Sequence, residues 1–193
     1  MRSYLTVWRL PSAMVPLALL LMVQEQTGSY AVAGGVSATY GIATALLAPV
    51  LGRLADRRSP RRVLLVQSAV YPVLLAAAAV VVLGGAPAAA MLAAAGAVGA
   101  STPLVAGTVR ALWSRVDPAV RPRAYALDAT ATELVFVAGP TTVAALTFLA
   151  SPSIALAVAG VLGVVGALGV ATSQPMRAWV PAPAPVRVAP WWC

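Results

Sequence analysis

The stretch Gly52-Arg53-Leu54-Ala55-Asp56-Arg57-Arg58-Ser59-Pro60-Arg61-Arg62 packs five arginines and one aspartate into a short segment between two long apolar runs. A helix needs about 20 apolar residues to cross a bilayer, and both flanking runs are that long. Basic residues accumulate in the cytoplasmic loops of membrane proteins, so this stretch reads as an inner loop. The same arrangement recurs along the chain. All 13 positive charges are arginine. They cluster at Arg2 and Arg9, in the stretch above, at Arg110, Arg115, Arg121 and Arg123, and at Arg177 and Arg187. Every second gap between apolar runs carries none. Composition agrees: 61% of the residues are hydrophobic and 9% charged, against roughly 45–50% and about 25% in soluble domains. Mean hydropathy is +0.89. The chain is an all-α, polytopic membrane protein.

A net charge of +8 would also suit a nucleic-acid partner. That reading fails because no aromatic residues interleave with the arginines as a base-stacking surface requires. Six spans emerge: about Leu10–Gln24, Tyr30–Leu54, Val63–Leu83, Ala88–Val109, Tyr125–Leu149 and Ile154–Ala171. Outer loops then fall at Glu25–Ser29, Gly84–Pro87 and Ala150–Ser153, and both termini are cytoplasmic. Arg2 and Arg9 followed by Ala13–Val23 could be taken for a secretion signal cleaved near Ala31-Val32-Ala33. Removal would leave an odd number of spans and break the arginine alternation. The expected division is a six-helix bundle over 1–172 and a proline-rich cytoplasmic tail or inter-half linker over 173–193.

Within the spans, Pro16, Pro49, Pro72, Pro103 and Pro140 each remove a backbone donor and favour a kink. Gly160, Gly163, Gly166 and Gly169 form a run of small residues suited to close helix packing.

Residue types absent from the sequence exclude much chemistry. There is no His, so imidazole catalysis and the usual zinc sites are ruled out. One cysteine, Cys193, forms no intrachain disulfide. No enzyme activity, metal or cofactor is expected.

The Gly52–Arg62 stretch resembles the signature loop of the major facilitator superfamily, G-x-x-x-D-(R/K)-x-G-(R/K)-(R/K), between helices two and three. Gly52, Asp56, Arg57 and Arg61 match; Ser59 replaces the family's glycine and Pro60 a basic residue. Gly139-Pro140 in span five is similar to the core of a glycine-proline motif in the family's antiporters. The further glycines of that motif are missing, and span four has no arginine before Arg110. The resemblance covers spans one to six and implies the amino-terminal half of a twelve-helix transporter. It also implies a second six-helix half, on a separate chain or missing, since the signature loop latches onto that half's helix eleven. Substrate would bind between the halves near the midplane.

The chain has five acids. Asp117 sits among loop arginines. Glu133 is about 15 Å along span five from Arg123, and Asp128 about 7–8 Å. An ionised carboxylate at mid-depth costs around 2.5–3.5 kcal/mol, which makes Glu133 a candidate for a functional role. It either faces a cavity, with proton coupling as its role, or stays protonated and bonds a neighbouring helix. Asp128 is a candidate partner of the cytoplasmic arginines. Glu25, at the outer mouth of span one, is either a coupling candidate or a solvated charge. The function expected is efflux of a small solute by alternating access, with a proton as candidate coupling ion. The alternative is a truncated or accessory membrane protein that does not transport alone. Residue usage rich in Ala, Gly, Pro and Arg suggests a GC-rich bacterial genome, hence the plasma (inner) membrane.

Overall fold

A computed structural model describes residues 10–57, 59–103, 105–113, 119–173 and Met176. Most of the 173–193 tail, Arg58 and Asp117 lie outside the described residues, as do the side chains of Asp56 and Arg57. Among the described residues every regular element is a helix: α1 (Leu10–Thr27), α2 (Tyr30–Arg57), α3 (Pro60–Leu83), α4 (Ala88–Ser101), α5 (Val105–Trp113), α6 (Arg121–Leu149) and α7 (Pro152–Thr172). The expected span four is therefore two helices, α4 and α5, divided at Thr102-Pro103.

Turn chemistry sets the ends. Gly28 takes φ +65°, open to glycine without steric cost, and its N–H donates to the Gln24 carbonyl at 2.8 Å. Ser29 then starts α2, its hydroxyl accepting from Val32 N–H at 3.4 Å. The α1–α2 connection, expected as an outer loop over Glu25–Ser29, is thus only Gly28 and Ser29, and Glu25 belongs to the last turns of α1 rather than to a loop. Gly84 and Gly85 close α3, with Gly85 at φ +66°. Ser151 caps α7, accepting from Ile154 N–H at 3.3 Å, with Pro152 in the first turn where no donor is needed.

The Gly52–Arg62 stretch, expected as a loop, is largely helical. Helix α2 runs on to Arg57 and α3 starts at Pro60, so Gly52 and Asp56 lie in the final turns of α2 and Arg61 in the first turn of α3. Pro60 explains this, because at the first helical position it costs no hydrogen bond and its φ is already helical.

Among the described residues five stretches are long and apolar enough to cross a membrane: Tyr30–Ala55, Pro60–Leu83, Ala88–Val109, Arg121–Leu149 and Pro152–Thr172. Helix α1, with its 18 residues, spans about 27 Å. It ends in Gln24, Glu25 and Gln26, and is the most enclosed element: Met14, Val15, Ala18, Met22 and Val23 are fully buried. Helices α2, α6 and α7 pack around it. Helix α4 pairs with α2, and α3 bridges α4 to α7. Outward faces are apolar, with Val66, Val73, Val80, Val161 and Val165 all exposed. That inverts the pattern of a soluble bundle and suits a hydrocarbon solvent.

Glycines set the closest approaches. A Cβ on Gly99 of α4 would collide with the Tyr40 backbone oxygen of α2 and lie 3.1 Å from Ala43 Cβ. On α7, Gly160 faces Leu75 and Gly163 faces Tyr71, but Gly169 has open space. The expected four-glycine seam therefore holds for its first part only. Steps of three residues rotate about −60° each, so Gly169 is half a turn round from Gly160.

Candidate functional site

The break in span four gathers the polar groups of the membrane interior. Pro103 has no N–H, so the Gly99 carbonyl loses its helical partner. Thr102, as the residue before proline, adopts φ −54° and ψ 125° instead of a helical conformation. Two donors compensate Gly99: the Thr102 N–H at 3.3 Å and the Thr44 hydroxyl from α2 at 3.1 Å. The Thr102 carbonyl accepts from Gln67 Nε2 of α3 at 3.0 Å. Gln67 is 5% exposed. The Thr102 hydroxyl lies 3.3 Å from the Tyr40 hydroxyl and 3.2 Å from the Val98 carbonyl. The other four prolines sit inside helices that continue through them. At Pro103 the neighbouring helices α2 and α3 supply side chains that take over the freed backbone groups, as a membrane interior demands.

Two cavities flank this break. One, of about 200 Å³, is lined by Tyr40, Tyr71, Thr102, Thr132 and Ser12 on its polar side, with Pro103, Val135 and Phe136 among its apolar walls. The other, of about 550 Å³, follows α2 from Thr44 to Gly52 and Ala55, and reaches Pro60 and Thr108. Helix α5 stands between them, Ala106 lining both. Among the described residues no Arg, Asp or Glu lines either cavity, and there is no cluster of His, Cys, Asp or Glu able to hold a metal.

The structure places the sequence candidates in separate locations. Glu133 is exposed on α6 and lines neither cavity, since its neighbours Thr132 and Val135 take the inward positions. At about 100° per residue, Glu133 and Val135 point to opposite sides of the helix. Asp128 is half-buried nearer the N-terminal end of α6, and engaged in an interaction. Glu25 is exposed at the other end of the bundle. The three acids therefore do not converge within this bundle. Gly139 is buried, and a Cβ there would come 2.7 Å from Ala13 Cβ of α1, so this half of the Gly139-Pro140 pair is a point of helix contact. Gly52, with open space around its Cα, makes no such approach.

Sequence reading did not single out Gln67, Tyr40 or Tyr71. The available signal was the pair Gln67 and Tyr71, four apart and so on one face of a span otherwise nearly all apolar.

Curated proteins and solved structures give no match. The family model described as Major Facilitator Superfamily matches residues 7–191. That match runs through all seven helices and the Gly52–Arg62 stretch between α2 and α3, so the chain belongs to the major facilitator superfamily.

Proposed function

We propose that this chain is a six-helix half of a secondary transporter that exports a small solute by alternating access, with Glu133 as the proton-coupling acid. The observation that carries this reading is the position of Glu133. It lies at mid-depth on the exposed side of α6, beside Leu134, Phe136 and Val137. A carboxylate held there against lipid would cost around 2.5–3.5 kcal/mol, so the face belongs against protein or a water-filled cleft. A second six-helix bundle supplies both. In the parallel-repeat arrangement the solute sits between the halves, where this face of α6 would line its path. Gly52, Asp56, Arg57 and Arg61 would latch to the second half from the cytoplasmic side, Asp128 would pair with the arginines there, and Glu25 would sit at the outer mouth. The arginine alternation puts both termini in the cytoplasm of a bacterial cell, with the proline-rich segment 173–193 as the linker.

The test uses inside-out membrane vesicles carrying the chain with its second half. A respiration-driven pH gradient is followed by fluorescence quenching while a panel of uncharged and cationic solutes is added. Solute export coupled to protons should dissipate the gradient for the native protein and not for Glu133→Gln, at equal membrane insertion. Equal dissipation by the Gln variant would remove Glu133 from coupling.

A further inference from the structure

The smaller cavity has a feature that packing does not account for. Tyr71 is 1% exposed and lines the cavity, yet its hydroxyl makes no hydrogen bond among the described residues. Nor is that hydroxyl sealed against apolar neighbours, since it is not among the fully enclosed unsatisfied atoms. It opens onto the void. A buried hydroxyl without a partner costs free energy, and a phenylalanine ring would fill the same place without that cost. The polar groups around it are Tyr40, Thr102, Thr132 and Ser12, all of them hydroxyls, and among the described residues no charged side chain lines the space.

We infer that this cavity is a binding site for a small uncharged solute, built around a single ring and carrying one carbonyl, amide or hydroxyl group. Three observations define the class. The volume, about 200 Å³, exceeds the 150 Å³ that accommodates benzene in an engineered apolar cavity. The walls Pro103, Val135 and Phe136 offer apolar contact to a ring. The Tyr71 hydroxyl holds one donor and two acceptor positions unclaimed. Among the described lining residues no group would compensate the desolvation of an ion, which favours an uncharged ligand. The site takes Tyr71 from α3 and Gly163 from α7 as well as residues from α1, α2 and α6, so this one chain supplies its described walls. Its wall reaches the outer face of α6 at the exposed Phe136, but binding needs only this chain and does not depend on the transport reading.

Binding is measured on the full chain in lipid nanodiscs, with empty nanodiscs as blank, by equilibrium dialysis of tritiated benzamide. One saturable site per chain is expected, displaced by unlabelled benzamide and not by benzoate. Tyr71→Phe should weaken binding at least fivefold while leaving the unfolding temperature unchanged or raised. Ala106→Phe, which fills the cavity from α5, should abolish binding. Absence of saturable binding to the native chain, equal competition by benzoate, or unchanged affinity in Tyr71→Phe would each overturn the assignment. Because no flux is measured, failure here leaves the transport proposal standing, and failure of transport leaves this one standing.

Discussion

Two glycine-to-alanine substitutions at nearly the same depth should have opposite effects. Gly99 of α4 meets backbone: its added Cβ would run into the Tyr40 carbonyl oxygen and lie 3.1 Å from Ala43 Cβ. Neither obstacle is the end of a flexible side chain, so α2 and α4 must separate, by about 1 Å. Such overpacking costs about 1–3 kcal/mol. Separation also stretches the hydrogen bond from the Thr44 hydroxyl to the Gly99 carbonyl, now 3.1 Å, worth about 0.5–1.5 kcal/mol. The Gly99→Ala chain should therefore lose roughly 2–4 kcal/mol. Gly41 of α2 is exposed with nothing within 4 Å of its added Cβ. There alanine should gain about 0.5–1 kcal/mol through helix propensity. The two variants add the same methyl to neighbouring helices, so insertion and expression effects largely cancel between them. Denaturant-induced unfolding in mild detergent, referred to the native chain, measures both. Equal stability of the two variants would refute the α2–α4 packing described here.

Gln67→Leu should cost about 1–3 kcal/mol in the same assay, because the Thr102 carbonyl at the helix break loses its side-chain donor. Gly139→Ala should destabilise by about 1–3 kcal/mol through contact with Ala13, and Ala13→Gly in the same chain should restore most of the loss; no restoration would mean that the two residues do not meet. With Cys193→Ser as background, cysteines at Ser29, Gly85 and Ser151 should react with an impermeant thiol reagent in intact cells. Labelling only after lysis would reverse the proposed orientation.

The spans were legible in the sequence because a bilayer demands length and hydrophobicity, which composition reveals directly. Five of the six survive as single helices with edges moved by a few residues. The split of span four was not legible. Pro103 looks like Pro16, Pro49, Pro72 and Pro140 in the sequence, yet those four lie in unbroken helices. The difference is tertiary: Gln67 and Thr44 reach the freed carbonyls from other helices. The glycine run of α7 misled for a simpler reason, since three-residue spacing turns away from a helix face instead of following it. The acids drew attention through their desolvation cost, and that argument still identifies the outer face of α6. It could not find the cavity, whose hydroxyl residues are unexceptional one at a time and significant only once six helices bring them together.

The outer surface of the bundle is not uniform, and the difference sorts its faces. On α3 the exposed residues Val66, Val70, Val73 and Val80 are all aliphatic, and on α7 Val161, Val165 and Leu168 are too. These faces lose nothing in lipid. On α2 the exposed residues Ile42, Leu46, Val50 and Leu54 repeat every four residues and are equally apolar, compatible with lipid or an apolar partner. Helix α6 departs from this. Its exposed surface carries Glu133 together with Thr130 and Thr141, whose hydroxyls turn back to the carbonyls of Ala126 at 3.1 Å and Val137 at 2.7 Å. Threonines can thus satisfy themselves within their own helix even in hydrocarbon. A carboxylate has no such local solution, and Glu133 makes no hydrogen bond or ion pair among the described residues. Within this bundle, then, α6 is the helix whose outer face most needs covering. On the proposed reading, the second bundle meets the protein there, and the solute's route follows the side of α6 opposite its contacts with α1 and α7.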